Sequence, residues 1–322
     1  MITTLIDLES AARVVYAAME PTPQQRWPQL DAYCGMDVWV KHENHTPVGA
    51  FKVRGGLVYF DYLRQTQPRV KGVVAATRGN HGQSIAFAAA KHGIPAAVVV
   101  PHGNSTTKNA AMQALGAELI ERGHDFQASL DASKEIAAER GWHQVPSFHP
   151  LLVSGVASYS LELLRTVADL DVLYVQIGLG SGICGAMAAR DALGLKMPIV
   201  GVVSAGAPAY SRSFASGRSV SQDVSTRIAD GMACRTPDAD ALDAILAGVE
   251  RIVEVTDDEV EEAMRILFTT THNVAEGAGA DGLAALLQER GKSPHSKAGV
   301  VLTGANVDPR PFARILGEPR TQ

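Results

Sequence analysis

Several features that would assign the chain to a special class of protein are missing from its sequence. The 322 residues include only three cysteines, Cys34, Cys184 and Cys234, which are far apart and odd in number. These cysteines form neither a disulfide framework nor a zinc-site spacing, and their use is typical of a reducing compartment. No Lys/Arg cluster is dense enough to follow a phosphate backbone, which argues against a nucleic-acid-binding protein.

Long apolar segments are also missing. No run approaches the roughly 18 apolar residues of a membrane helix. Asp7 and Glu9 interrupt the N-terminal stretch where a signal peptide needs an unbroken apolar core. The rest is ordinary for a globular protein, with 46% hydrophobic residues, 20% charged residues and a net charge of −5. We therefore predict a soluble, cytoplasmic protein without nucleic-acid or membrane partners and with enough chain for about two domains.

Short β-branched runs alternate with Ala-rich helical patterns along the chain, and this alternation is typical of an α/β protein with parallel sheets. One helix is predicted over 84–93. Another begins at Thr256, which stands in capping-box spacing with Glu259. The predicted strands are 38–43, 72–77, 96–100, 117–121, 173–178, 198–205 and 299–304.

Lys52 stands among small and apolar residues in the stretch GAFKVRGG, residues 49–56. A lysine that performs covalent chemistry needs such neighbours, because an apolar setting lowers its pKa and frees the neutral amine. The alternative is a helix N-terminus that carries one lysine with its ammonium group in solvent. On the first interpretation, Gly49, Ala50 and Gly55 leave room for a flat ring against the backbone.

A glycine-rich loop follows the strand predicted at 173–178. Backbone amides exposed by this loop, with the dipole of the next helix behind them, make a phosphate-binding cup. The segment also spells GxGxxG from Gly180 to Gly185, the fingerprint of a dinucleotide site. That site needs an acidic residue about 20 positions further on, where this chain has Ser204. We predict a phosphate cup and not an NAD site, with a plain tight turn as the alternative.

Polar groups also follow two other predicted strands. In TRGNHGQ, residues 77–83, the Thr77 hydroxyl and the turn amides can bind a substrate carboxylate, although turn and cap roles account equally well for the motif. The Thr303 hydroxyl ends a strand where it can bind a ring nitrogen or only cap the strand. Glu276 is either a pocket carboxylate or a helix-capping acid. A reactive lysine, a phosphate cup and a hydroxyl for a heteroaromatic nitrogen are together what pyridoxal 5′-phosphate (PLP) needs.

With its motifs in this order, the chain resembles the fold-type II PLP-dependent enzymes of the serine/threonine dehydratase (ammonia-lyase) family over nearly its whole length. The resemblance implies a tryptophan synthase β-like α/β fold with two parallel-sheet lobes and the cofactor between them. It implies a large PLP-binding domain, 1–69 and 150–322, and a small substrate-side domain, 70–149. The motifs are EPTPQ (20–24), KHENHTPVGAFKVRGG (41–56), TRGNHGQ (77–83), GAEL (116–119), GLGSG (178–182), EGAGA (276–280) and LTGAN (302–306).

The resemblance also implies roles for single residues. Lys52 would form the Schiff base and be the catalytic residue, Asn80 would hydrogen-bond the 3′-oxygen of PLP, and Thr303 would face the pyridine nitrogen. The expected cofactor-binding residues are Lys52, Phe51, Asn80, Gly178, Gly180, Ser181, Gly182, Ile183, Glu276 and Thr303. The expected substrate-binding residues are Thr77, Arg78, Gly79 and His81.

Three departures from the family pattern shape the expected activity. Relatives with racemase activity have a serine where this chain has Arg78, and a guanidinium is a poor proton shuttle, so we expect elimination rather than racemisation. Ser204 and Tyr210 replace the acids that bind a divalent cation in several relatives, so no metal site is expected. GVAS at 155–158 replaces a GQGT-like turn, which we expect to affect the accepted substrate size.

We therefore predict PLP-dependent α,β-elimination of water from a 3-hydroxy L-amino acid, which releases a 2-oxo acid and ammonia. Serine, threonine, phenylserine (as in a phenylserine dehydratase) and hydroxyaspartate stay open as substrates, and β-replacement stays open as a reaction. An NAD-binding oxidoreductase and a non-catalytic PLP-binding protein are the alternatives from other classes. The expected partners are a small amino-acid substrate and a second copy in a homodimer.

Overall fold

The computed structural model describes residues 4–292 and 294–317, in which helices and strands alternate along most of the chain. The strands are β1 (Gln24–Arg26), β2 (Asp37–His42), β3 (Val73–Ala76), β4 (Ala96–Val100), β5 (Glu118–Glu121), β6 (His143–Gln144), β7 (Val172–Gln176), β8 (Ile199–Ser204), β9 (Arg251–Val255) and β10 (Lys297–Leu302). The helices are α1 (Leu5–Tyr16), α2 (Pro28–Cys34), α3 (Lys52–Thr66), α4 (Asn80–Lys91), α5 (Thr106–Ala114), α6 (Phe126–Arg140), α7 (Pro150–Thr166), α8 (Ser181–Ala192), α9 (Ala209–Ser216), α10 (Ala239–Gly248), α11 (Asp257–Thr271), α12 (Gly277–Gln288) and α13 (Pro309–Gly317). Within these ranges, no helix has both the length and the apolar character of a membrane span.

The strands form two sheets. The larger has the order β1-β2-β10-β7-β8-β9, and the smaller has the order β5-β4-β3-β6. Every pairing is parallel except that of β1, which runs antiparallel to β2 at the edge of the larger sheet. The predicted α/β fold with two parallel-sheet lobes is confirmed. The smaller sheet is built from a continuous part of the chain, whereas the larger sheet takes strands from both sides of it; the domain bounds given above stay a prediction.

The apolar runs in the sequence located the strands well. All seven predicted strands are present, and their ends agree with the prediction to within two residues. The three strands that were missed are β1, β6 and β9. The first two are short and polar, and β9 is only partly buried at the sheet edge. Helix α11 begins at the predicted capping box, in which the side chains of Thr256 and Glu259 each accept a hydrogen bond from the other residue's backbone N–H.

Helix α3, which begins at Lys52, crosses α7 at very close range because each helix has a glycine at the crossing. A Cβ added at Gly55 would lie 2.7 Å from the Leu152 carbonyl oxygen, and one added at Gly155 would lie 2.3 Å from the Arg54 carbonyl oxygen. Two expectations are therefore wrong. Gly55 makes room for α7 and not for a ring, and residues 155–158 lie inside α7 rather than in a turn.

Charged side chains behind α3 are buried, with Glu162 slightly exposed, and they hold α3 to the larger lobe. Arg54 donates to Glu43 Oε2 at 2.7 Å and to Glu162 Oε1 at 2.6 Å. Lys41 pairs with Glu162 as well, and it donates to the Thr22 carbonyl at 2.6 Å. The cluster joins β2, α3 and α7 with two positive and two negative charges. Because removal of one member of such a buried cluster leaves a charge without compensation, the position of α3 is strongly fixed.

Candidate active site

A cavity of about 380 Å³ lies at the carboxyl ends of β3, β7 and β10, where parallel sheets usually offer their ligand-binding groups. All predicted site residues except Ile183 line it. The Ile183 side chain is fully buried in the hydrophobic core instead. The backbone N–H of Ile183 lies in the first turn of α8 and has no acceptor within that helix. A ligand could therefore contact Ile183 through this N–H group.

Lys52 enters the cavity from the first residue of α3, which is fixed to the end of β10. The Phe51 N–H donates to the Thr303 carbonyl at 3.0 Å, and Ala50 pairs with Gly304 in an isolated β-bridge. The Lys52 ammonium donates to Ser181 Oγ at 3.0 Å and lies 5.0 Å from the centre of the Phe51 ring. Burial lowers the pKa of Lys52 to about 8. The lysine thus meets the first turn of α8 in a setting that favours its neutral amine.

The glycine loop, Gly178–Gly182, leads from β7 into α8. Gly180 has a φ of +100°, and a Cβ at Gly178 would lie 2.4 Å from the Gly231 carbonyl oxygen, so neither position accepts a side chain. The first hydrogen bond of the helix runs from the Cys184 N–H to the Gly180 carbonyl at 3.0 Å. The N–H groups before Cys184 therefore have no acceptor within the helix. Such N–H groups, together with the helix dipole, are suited to bind a phosphate group, and the phosphate site expected here stays a prediction.

The side chain of Thr77 accepts hydrogen bonds from the backbone of the turn that follows β3. Thr77 Oγ1 accepts from the N–H groups of Gly79 at 2.9 Å and Gly82 at 3.3 Å. This cap lets α4 begin at Asn80, four residues before the predicted start at Ser84, which was therefore wrong. The hydroxyl proton of Thr77 stays available to a ligand.

Gly79 and Arg78 in the same turn differ in role. A Cβ at Gly79 would lie 2.5 Å from Lys108 Cδ, so Gly79 lets the stem of that lysine pass. Arg78 is exposed at the cavity and has no hydrogen-bond or ion-pair partner in the described part of the chain. Its guanidinium is therefore free to bind an anion.

His81 presents a neutral ring to the cavity. Burial, and then the charge of Lys52, lower the pKa of His81 to about 3, against a hydrogen bond to the Pro146 carbonyl. Its Nε2 has no partner within residues 4–292 and 294–317. The ring therefore offers a lone pair and no positive charge to whatever the cavity holds.

Asn80 belongs to a chain of hydrogen bonds at the cavity wall. Its Nδ2 donates to Glu276 Oε1, and its Oδ1 accepts from Asn306 Nδ2 at 2.9 Å. Lys108 Nζ lies 3.1 Å from Glu276 Oε2 and 2.8 Å from Asp230 Oδ2. Lys108, Asp230 and Asn306 were not predicted as site residues, because each is defined by partners far away in the sequence.

Thr303 lies at the end of β10, where the sequence predicted it. Its hydroxyl donates to the Ala278 carbonyl at 3.1 Å and lines the cavity. It therefore faces the same space as Lys52 and the glycine loop. A contact between this hydroxyl and a ring nitrogen stays a prediction.

The family described as "Pyridoxal-phosphate dependent enzyme" matches residues 15–304. The chain belongs to this family. It is 30% identical over 319 residues to an L-threonine ammonia-lyase from Thermotoga maritima, covering 98% of this chain and 78% of that protein. It is also 30% identical over 317 residues to an L-threo-3-hydroxyaspartate ammonia-lyase from Saccharomyces cerevisiae, covering 98% and 97% of the two chains. The structure of maize serine racemase matches with a TM-score of 0.91 at 27% identity, over 98% of this chain and 97% of the other.

The predicted fold-type II PLP-dependent enzyme of the serine/threonine dehydratase family is thereby confirmed, and so are its cofactor and its ammonia-lyase class. The cavity fits PLP on its own geometry as well. The glycine loop would hold the phosphate, Lys52 would bind the aldehyde carbon, and Asn80 and Thr303 would face the ring. The assignment of these residues to PLP stays a prediction.

The two positions expected to lack metal-binding acids have other partners. Ser204 Oγ accepts from the Gly206 N–H at 3.1 Å, and the Tyr210 hydroxyl donates to the Leu179 carbonyl at 3.1 Å. Among the described residues, no group of three or more His, Cys, Asp or Glu side chains is suited to hold a metal ion. The expected lack of a metal requirement stays a prediction.

Proposed function

We propose that the protein eliminates water from a 3-hydroxy L-amino acid and releases a 2-oxo acid and ammonia. The observation that carries this proposal is the position of the Lys52 amine, 3.0 Å from Ser181 at the start of α8 and with its pKa lowered to about 8 by burial. An amine with that pKa is neutral often enough near pH 7 to accept the proton from the substrate's α-carbon. PLP, when bound, supplies the electron sink that makes this proton acidic.

The substrate carboxylate is assigned to the turn after β3. Within residues 4–292 and 294–317, the Arg78 guanidinium has no protein partner, and the Thr77 hydroxyl has a proton to donate. Both groups match an α-carboxylate, because a guanidinium binds a carboxylate in a planar, two-pronged geometry. Phe51 and Tyr159 also line the cavity and limit the access of water to Lys52.

We assign an uncharged β-substituent to the substrate, as in serine, threonine or phenylserine. The cavity lining includes three apolar side chains, Phe126, Val224 and Met232, that could contact such a substituent. Arg235, which also lines the cavity, pairs with Asp223 at 3.4 Å in an exposed ion pair.

L-threo-3-hydroxyaspartate is the second candidate substrate. It is favoured by the similarity to the yeast L-threo-3-hydroxyaspartate ammonia-lyase over 97% of that protein. In this case Arg78 would bind one carboxylate, and Arg235 would have to leave Asp223 to bind the other.

Release of 2-oxo acid from the stereoisomers of serine, threonine, phenylserine and 3-hydroxyaspartate tests the proposal directly. We expect turnover of an L-isomer with an uncharged β-substituent, and Lys52→Ala should lose both this turnover and the visible absorbance of bound PLP. Lys196→Ala, at an exposed lysine beyond the end of α8, is the matched control and should keep both. A Lys52→Ala variant that still turned over substrate would refute the assignment. Exclusive turnover of 3-hydroxyaspartate would favour the second candidate.

A further inference from the structure

Lys108 connects the two lobes at the wall of the cavity. It lies in the first turn of α5, next to the smaller sheet, and its ammonium reaches Asp230 and Glu276 of the larger lobe at 2.8 Å and 3.1 Å. The Lys108 side chain is 6% exposed and that of Glu276 is 3% exposed, so water does not screen this pair. Lys108 therefore lies next to two carboxylates at the cofactor cavity. Its positive charge favours the ionised form of both.

The hydrogen bonds of Asn80 allow only one orientation of its amide. Asn306 Nδ2 uses its two N–H groups on the Val48 carbonyl and on Asn80 Oδ1, each at 2.9 Å. Asn80 therefore presents its oxygen to Asn306 and its Nδ2 to Glu276 Oε1. Among the residues that the structure describes, the second N–H of Asn80 Nδ2 has no acceptor. In this arrangement Glu276 Oε1 accepts, and only an ionised carboxylate ensures that either oxygen can do so.

We propose that Lys108 is a positioning residue that keeps Glu276 anionic and thereby keeps the free N–H of Asn80 available to the 3′-oxygen of PLP. This inference rests on the part of the proposed site that assigns Asn80 to the 3′-oxygen. It does not depend on which amino acid the enzyme converts.

The charges around Glu276 explain why Lys108 is needed. Burial raises the pKa of Glu276, and the negative charge of Asp230 raises it further. The positive charge of Lys108 and the hydrogen bond from Asn80 lower it. Loss of Lys108 would raise the pKa of Glu276 further, and a protonated carboxyl group can donate as well as accept. An O–H on the Asn80 side would turn the Asn80 amide, and its Nδ2 would then face the Nδ2 donor of Asn306. Asn80 would no longer present an N–H to the cofactor in a defined direction.

The first test is the absorption spectrum of purified Lys108→Met holoenzyme, a variant that keeps the length of the side chain and removes its charge. A donor to the 3′-oxygen stabilises the ionised oxygen, so its loss should move intensity from the visible band of bound PLP to the near-ultraviolet band. PLP should also dissociate about tenfold more readily, as expected for one weakened charge-assisted hydrogen bond. Lys108→Arg, which keeps the charge, should retain the visible band.

Two control variants distinguish the effect of the Lys108 charge from the effect of a weaker attachment of α5. Asp308→Asn weakens a second contact of the same helical turn, in which Ser105 Oγ donates to Asp308 Oδ1 at 2.8 Å, but it leaves Lys108 and Glu276 intact. Lys134→Met removes an exposed lysine on α6. Both controls should keep the wild-type spectrum. An equal spectral change in Asp308→Asn and Lys108→Met would show that only the attachment of α5 matters and would overturn the proposal.

A double-mutant cycle with Glu276→Gln tests whether Lys108 acts through Glu276. Glutamine can accept from Asn80 but cannot be protonated, so Lys108→Met should change the spectrum much less in the Glu276→Gln background than in the wild type. An equal change in both backgrounds would refute the inference. If Glu276→Gln fails to retain PLP, the comparison with Asp308→Asn decides. None of these readouts uses turnover, so a failure of the proposed dehydratase activity would be seen separately.

Discussion

At the scale of single residues, the proposed role of Lys52 predicts that its ionisation controls how readily the protein takes up PLP. Only the neutral amine attacks an aldehyde, and burial lowers the pKa of Lys52 to about 8. The neutral fraction is therefore one half at a pH of about 8 and is nearly complete by about one to two pH units higher. We expect the rate of PLP capture by the apoprotein, followed by stopped-flow absorbance, to rise with pH and to level off in this way. A rate that keeps rising toward about pH 10.4, as for an ordinary lysine, would contradict the prediction.

Arg78 provides a second test at this scale. Arg78→Ser removes the proposed carboxylate partner, and kcat/KM for elimination should fall about ten- to a hundredfold, as expected for one charge-assisted hydrogen bond. Because relatives with racemase activity have a serine at this position, slow exchange of the α-proton with inversion should appear. Arg78→Lys is the comparison: it keeps the charge without the planar fork and should lose activity without gaining racemisation. Chiral chromatography of the remaining substrate measures both effects, and unchanged elimination in Arg78→Ser would refute the role.

Residues whose chemistry is evident from local sequence could be predicted as part of the site. Lys52 has its small neighbours, Thr303 follows an apolar strand, and the glycine loop precedes a helix. Lys108 could not be predicted in this way, because it looks like a surface lysine in a short helix and its partner Asp230 is 122 positions away. Its role depends on how two lobes meet, which no local pattern encodes.

At the scale of elements, the crossing of α3 and α7 fixes the direction from which Lys52 enters the cavity. Gly155→Ala would place a Cβ 2.3 Å from the Arg54 carbonyl oxygen. We expect the free energy of unfolding to fall by about 1–3 kcal/mol, the usual cost of overpacking, because backbone and not a flexible side chain must move. Gly317→Ala is the matched control, since an added Cβ there meets nothing within 4 Å. Urea denaturation measures both variants, and equal stability of Gly155→Ala and wild type would contradict the packing described here.

Apolar periodicity identified the buried strands, but element ends depend on single hydrogen bonds. Helix α4 begins at Asn80 because the Thr77 side chain replaces the missing acceptors of the first turn. The GVAS segment looked like a turn only by comparison with the family pattern. In the structure its Gly155 packs against α3 and its Ser158 accepts from Arg54 at 2.9 Å. These contacts lie between residues about a hundred positions apart, beyond the reach of a local pattern.

At the scale of the whole molecule, the cofactor cavity lies between the two lobes. Binding of PLP should therefore increase the free energy of unfolding. Lys52, the turn after β3 and the glycine loop come from different elements of both lobes, and PLP would contact them together. A ligand at a hundred times its dissociation constant adds about 2.7 kcal/mol to the free energy of unfolding. We expect PLP to raise the melting temperature of the apoprotein, and pyridoxal, which lacks the phosphate, to raise it much less. Differential scanning fluorimetry with both compounds measures this, and equal effects would argue against the phosphate site.

The division of the chain between the lobes could not be obtained from composition, because no linker or change in composition separates the two lobes. The alternation of strands and helices predicted the class, but only the resemblance to a family predicted that the larger sheet uses both ends of the chain. Sequence order and sheet order differ there: β10 lies between β2 and β7. The homodimer implied by the resemblance stays a prediction.

Two adjacent glycines allow α3, the helix that begins at Lys52, to pack closely against both lobes. Gly55 meets α7 on one side, and a Cβ at the adjacent Gly56 would lie 2.3 Å from Ser84 Oγ of α4 on the other. Ser84 also donates to the Lys52 carbonyl at 2.7 Å. A shift of α3 along its own axis would break these contacts. The amine of Lys52 therefore stands on a helix that is in close contact with α7 of one lobe and with α4 of the other.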